Sequence, residues 1–124
     1  KAEDYLLKAK DNAEDLEEIA LRLSNLYLEQ ERFDEVLKFE EQDIDNVLTK
    51  WNIARAYQAL EQTTAALERY RLLLSDLKEN PEFLEQYIYL LREMGDFEEA
   101  KHQAEHYLHL VPDDVEMQEL YNSL

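Results

Sequence analysis

Residues 81–114 read PEFLEQYIYLLREMGDFEEAKHQAEHYLHLVPDD, and the punctuation of this stretch decides the fold. Asn80-Pro81 is a stop-and-restart signal, because proline fits only the first turn of a helix. Gly95 then interrupts a run of helix formers as a left-handed C-cap, and Asp96 caps the next helix. Pro112-Asp113-Asp114 closes that helix and opens another. Two helices of similar length, over 81–94 and 97–110, are therefore predicted on either side of a tight turn.

The same phrase recurs upstream. Phe97-Glu98-Glu99-Ala100 is echoed by Phe33-Asp34-Glu35-Val36, with Thr63-Thr64-Ala65-Ala66 between them and Lys1-Ala2 at the start. The anchors Ala2, Val36, Ala66 and Ala100 are separated by 34, 30 and 34 residues, so one helical turn is missing from the middle interval. A second set agrees: Leu23-Ser24 with Tyr27 and Ile53-Ala54 with Tyr57 repeat 30 residues apart. Their small residues let neighbouring helices approach while each Tyr fills the space one turn on. The third copy (Tyr87, Ile88, Leu91) has a bulky Ile at the small position. Helices are predicted at 1–12, 15–30, 33–44, 46–60, 63–78, 81–94, 97–110 and 114–123.

This phased series resembles the tetratricopeptide repeat family over nearly the whole chain, most clearly in the copy at 81–114. The resemblance implies an all-α fold, a right-handed stack of antiparallel helix pairs (a TPR-like α-solenoid) with seven to eight helices. The expected organisation is a single domain, 1–124. Residues 1–16 form the second helix of a partial repeat, 17–46, 47–80 and 81–114 the repeats, and 115–124 a terminal capping helix. The family's small residue late in the second helix is replaced by Asp43, Leu73 and Tyr107. Helices phased by accident within a closed bundle are the alternative.

Composition sets the outer limits. A single Gly and two Pro in 124 residues are too little punctuation for a β fold, and 45% apolar residues suffice for a core. Cysteine is absent, which excludes disulfides and thiolate metal sites. No apolar run approaches the ~20 residues that span a bilayer, and the polar first residues are unlike a signal peptide. A chain starting at Lys1 without Met is expected to have been excised from something longer. The formal net charge of −17 repels nucleic acid and anionic lipid, and it favours basic or amphipathic partners. Acidity that merely keeps a helical protein soluble is the simpler account of that charge.

A repeat cannot bury its apolar face alone, so copies stack. In the family resembled, the first helix of each pair lines a concave groove that holds a partner's peptide or helix. Carried over, the groove is lined by Leu21, Asn25 and Leu28 from the first repeat and by Leu48, Trp51, Asn52, Arg55 and Gln58 from the second. Tyr89 and Arg92 come from the third, among Glu82, Glu85, Gln86 and Glu93. Helical spacing supports this grouping on its own, since Leu21, Asn25 and Leu28 fall at i, i+4 and i+7, off the face of Leu23 and Tyr27. Trp51 is the first expected anchor and Tyr89 the second. The competing assignment puts Trp51 in the core beside Ala54, and Tyr89 flat on its helix surface. Some members of the family clamp a C-terminal carboxylate with Lys, Asn and Arg. Asn25 and Asn52 stand at the amide positions here, but Leu21, Glu82 and Gln86 occupy the cationic ones, so such a clamp is not expected.

Other chemistry is sparse. One glycine rules out phosphate-cradling loops, and no hydroxyl stands in an activating motif. His102, His106 and His109 fall at i, i+4 and i+7 and can offer neutral imidazoles to a divalent metal, with Glu99 or Glu105 nearby. A solvated stripe on the outer face is the simpler account, so no metal or cofactor is assigned. Glu14–Glu18 and Glu40–Asp45 are acidic runs without a calcium loop. The sequence thus points to a non-catalytic, cytoplasmic protein-interaction module with a protein or peptide partner. A structural spacer or homo-oligomerisation element is the second reading, with a homodimer as its signature.

Overall fold

The computed structural model describes residues 16–42 and 44–124. Among the described residues lie seven α-helices and no strand: α1 (Leu16–Glu29), α2 (Phe33–Leu37), α3 (Val47–Ala59), α4 (Thr63–Leu77), α5 (Pro81–Glu93), α6 (Phe97–Leu110) and α7 (Val115–Ser123). The all-α class and six of the helices match the sequence reading to within two residues at each end. The helix expected over 1–12, and the anchor Ala2 with it, lies outside the described residues. No helix among those described is long and apolar enough to cross a membrane.

The leading helices start where polar caps dictate. Asn46 accepts a hydrogen bond from the Thr49 amide at 3.1 Å, and Asn80 accepts one from the Phe83 amide at 3.2 Å, with Pro81 at the first helical position. These two caps stand 34 residues apart. Asp96 and Asp114 cap α6 and α7 in the same way, through the amides of Glu99 and Met117. Each cap satisfies one of the donors that a helix start leaves unpaired.

Three turns end the leading helices, and they are built alike. Glu31, Glu61 and Gly95 adopt φ of 57°, 61° and 83°. After each of them, an amide reaches back five residues: Arg32 to the Tyr27 carbonyl (2.8 Å), Gln62 to Tyr57 (2.9 Å) and Asp96 to Leu91 (2.9 Å). The left-handed residues themselves donate to Leu28, Gln58 and Arg92. This paired pattern is the Schellman C-cap, which satisfies the last carbonyls of a helix. Its three copies are spaced 30 and 34 residues apart, the interval of the sequence anchors.

One element departs from expectation. The helix predicted over 33–44 ends at Leu37 and tightens into a 3-10 turn over Lys38–Glu41, after which Gln42 is extended. Phe33 precedes the cap Asn46 by 13 residues, whereas Thr63 precedes the cap Asn80 by 17. The difference of four is one α-helical turn. The missing turn therefore comes out of α2, and a 3-10 segment, with its greater rise per residue, makes up part of the length.

The chain forms two compact units, one ending at Leu73 and the other spanning Leu74–Leu124. In the first, α1 packs on α2 and α3. Ile19, Ala20, Leu23, Tyr27, Val36, Phe39, Ile44, Ile53 and Ala56 form its buried cluster, with the Tyr27 and Phe39 rings stacked 6.3 Å apart. In the second, α5 packs on α6 and α6 on α7. Phe83, Leu84, Tyr87, Ile88, Leu91, Ala100, Ala104, Met117 and Leu120 are buried there. Each large side chain so buried contributes ~1.5–3 kcal/mol.

Candidate functional site

The face predicted to meet a partner is built from the leading helices. On α1, Asn25 is exposed while Leu21 and Leu28 are half-buried. On α3 the picture differs. Trp51 and Asn52 are only 5% and 3% exposed, Arg55 and Gln58 are half-buried, and Leu48 remains 44% exposed.

Burial reverses the order of the two expected anchors. The Trp51 indole is a core group in this structure, hydrogen-bonded to Tyr70 and covered by the Arg55 guanidinium 4.1 Å from its ring centroid. A ring so enclosed offers a partner almost no surface. Tyr70 is itself fully buried, donates to the Gln58 side chain at 2.9 Å, and has its hydroxyl pKa pushed up to about 12 by burial. Gln58 and Trp51 are thereby tied to α4. Helical spacing placed Trp51 on the Arg55 face correctly, but it could not show that α4 covers it.

The two Asn residues are joined. Asn52 donates from Nδ2 to Ser24 Oγ at 2.9 Å and to Asn25 Oδ1 at 2.8 Å. Ser24 in turn donates to the Leu21 carbonyl at 2.9 Å. This polar spine pairs α1 with α3 and holds the Asn25 carbonyl oxygen, while the Asn25 side chain stays exposed at the surface. The sequence presented Ser24 as a spacer; its hydroxyl is also the acceptor that keeps a buried amide satisfied.

In the second unit, Tyr89 is 36% exposed on α5, and the Arg92 guanidinium lies 5.4 Å from its ring centroid. Both belong to the solvent face of α5. Arg stacked on Tyr presents a broad, rigid, amphipathic surface.

Of two further clusters, only the first was not anticipated. Glu40, on the 3-10 turn, accepts from Tyr57 at 2.7 Å and from Arg69 at 2.8 and 2.9 Å, and the guanidinium also lies 4.4 Å from the Tyr57 ring centroid. The Arg69 hydrogen bonds hold the Glu40 carboxyl below its ordinary pKa, and the Tyr57 hydroxyl is raised by the same carboxylate. Opposite charges 29 residues apart left no local signal in the sequence. On α6, His102, His106 and His109 line a groove of about 330 Å³ with Leu74, Lys78, Gln103 and Glu105. His106 Nε2 is 3.0 Å from the Lys78 carbonyl oxygen and 3.6 Å from Glu79 Oε1. No group of three or more His, Asp or Glu side chains arranged to hold a metal occurs among the described residues.

Comparison with known proteins follows this geometry. A family model described as YpiA-like, C-terminal tetratricopeptide repeats matches residues 48–114. The fold is similar to that of the first TPR of Spaghetti (RPAP3), solved bound to the HSP90 peptide SRMEEVD. The TM-score is 0.70 at 22% identity, over 85% of this chain and 86% of that one. No curated protein matches the chain.

Proposed function

This chain belongs to the YpiA-like C-terminal tetratricopeptide repeat family, and from that premise we propose that it is a non-catalytic protein-interaction module of the cytoplasm. Its leading helices hold a peptide or helix of a partner. The observation that carries this reading is the Tyr89–Arg92 pair, a half-open aromatic with a cation across its face on a leading helix. Tyr and Arg are the side chains that most often dominate interface energies. In the first unit, Leu48 and Asn25 are exposed on their leading helices and Leu21 is half-buried, leaving apolar surface and an amide open to a peptide. Arg55 and Gln58 are half-buried on the same helix as Leu48, and Trp51 and Asn52 are buried there.

The partner's charge follows from chemistry. The Spaghetti neighbour holds a peptide ending in EEVD. Here Leu21, Glu82 and Gln86 supply no cation at the positions where a carboxylate clamp needs one, and 30 acidic residues stand against 13 basic ones. An acidic tail would meet repulsion; a basic amphipathic helix would be steered in.

Fluorescence anisotropy with a basic amphipathic helical peptide, and with SRMEEVD for contrast, tests the proposal. The basic peptide should bind and SRMEEVD should not. Tyr89→Ala should weaken binding roughly tenfold, equivalent to about 1.4 kcal/mol, at unchanged melting temperature. Tight capture of SRMEEVD, or full affinity in Tyr89→Ala, would overturn it.

A further inference from the structure

We infer that the turn between α5 and α6 is a second docking surface, for a cationic helix of a partner protein that carries an aromatic residue. Phe97 is 52% exposed and Met94 41%, on either side of the left-handed Gly95. Single exposed apolar residues are ordinary, so exposure alone says little. What marks Phe97 is the fate of its counterpart in the first unit. Phe33 and Phe97 each stand two residues after a left-handed C-cap and open the second helix of a pair. Phe33 is half-buried against the first unit's apolar cluster, and Tyr57 from the last turn of α3 packs on that cluster too.

The caps Asn46, Asn80 and Asp114 are spaced by 34 residues, but α3 and α5 run 13 residues and α7 runs nine. Tyr107 donates to Asp114 at the start of α7 (2.6 Å), and Lys101 lies 5.4 Å from the Tyr121 ring near its end. The two helices therefore run antiparallel, and α7 stops about one turn before it would reach Phe97. A helical turn with a large aromatic residue fits that place, as Tyr57 serves the first unit. Charge completes the description of the occupant. Residues 92–99 hold Glu93, Asp96, Glu98 and Glu99 against Arg92 alone, in a chain of net charge −17. A second copy would bring the same charge and be repelled, whereas Lys or Arg beside the aromatic would be attracted. The chain's own α3 has this chemistry, with Lys50, Arg55 and Tyr57 and no acidic residue.

The test is an amide-resolved NMR titration of the isotopically labelled chain with a synthetic peptide of residues 47–60, blocked at both ends. The largest shifts are expected over residues 94–101 and at the end of α7. Phe97→Ala should weaken binding roughly tenfold, as should Tyr57→Ala in the peptide. Reversing the peptide's charge with Lys50→Glu and Arg55→Glu should abolish it. Leu72→Ala, which removes another exposed apolar side chain, should leave affinity unchanged. Both positions in the chain are exposed, so circular dichroism should show the same helicity in each variant. Shifts centred on the solvent face of α5, or full affinity in Phe97→Ala, would overturn this surface and leave the leading-helix reading standing. The absence of binding also overturns it, without touching that reading, which has its own peptide. A dimer of the chain that Phe97→Ala converts to monomer would assign the surface to a second copy and overturn it as well.

Discussion

Trp51 and Tyr89 stand on two leading helices, one turn apart in the register of their caps, and burial gives them opposite parts. At 5% exposure, with Tyr70 bonded to its indole and Arg55 over its face, Trp51 holds α3 to α4. Truncating a buried Trp leaves a cavity as well as lost transfer energy, so Trp51→Ala should cost about 3–5 kcal/mol in urea unfolding. A loss under about 1 kcal/mol would mean that the ring is dispensable to the core. Tyr89→Ala, at a site 36% exposed, should stay near the surface-residue norm of about 0.5 kcal/mol. Periodicity put both aromatics on a leading-helix face, and that much was legible in the sequence. Which one is covered depends on Tyr70 and Arg55 meeting Trp51, and no local pattern encodes that meeting. The Asn52–Ser24 bond was hidden for the same reason, since its partners lie 28 residues apart.

At the scale of elements, the repeat is most visible in its turns. Gly95 announced itself, but Glu31 and Glu61 make the same left-handed C-cap with side chains that strain it. A β-carbon in that conformation costs roughly 1 kcal/mol. Glu61→Gly should therefore stabilise the chain by a few tenths to about 1 kcal/mol, and Gly95→Ala should destabilise it by a similar amount. Nothing lies within 4 Å of a β-carbon at Gly95, so that loss would be backbone strain alone. Equal melting temperatures for wild type and Glu61→Gly would argue against this account. The short α2 is the element that sequence reading overextended, because the missing turn was assigned to the interval and not to a helix. The Glu40 clasp ties the 3-10 turn that replaces it to α3 and α4. Its carboxyl pKa lies below the ordinary 4.5, chiefly through the Arg69 hydrogen bonds. A depressed acid contributes stability that is present above the unfolded value and lost as pH falls through the folded one. Wild type should thus melt above Glu40→Gln at pH 7, and the gap should close as pH drops below 4.5. A gap that persists at low pH would assign the effect to packing instead of charge.

Charge decides behaviour at the scale of the whole molecule. Among the described residues, five cationic side chains lie over aromatic rings: Arg32 on Tyr27, Arg55 on Trp51, Arg69 on Tyr57, Arg92 on Tyr89 and Lys101 on Tyr121. The ion pairs Arg22–Glu18, Lys38–Glu35 and Lys50–Asp45 are largely exposed, and such pairs contribute little. The surface is therefore left with an excess of unneutralised carboxylates, whose mutual repulsion opposes folding. Salt shortens the Debye length from about 30 Å at 0.01 M to about 10 Å at 0.1 M, and should relieve that repulsion. The melting temperature should rise over this range, by about 4 °C for each kcal/mol of repulsion removed. Affinity for a basic peptide should fall over the same range, because the field that strains the free protein is the one that attracts the ligand. Opposite salt slopes for stability and binding, measured by calorimetry and anisotropy on one preparation, are the signature expected of a module kept acidic for a cationic partner. If the melting temperature falls as salt rises, attractive ion pairs outweigh the repulsion. The acidity would then be part of what holds the fold together, and steering would have to be sought in individual residues such as Glu82 and Glu93.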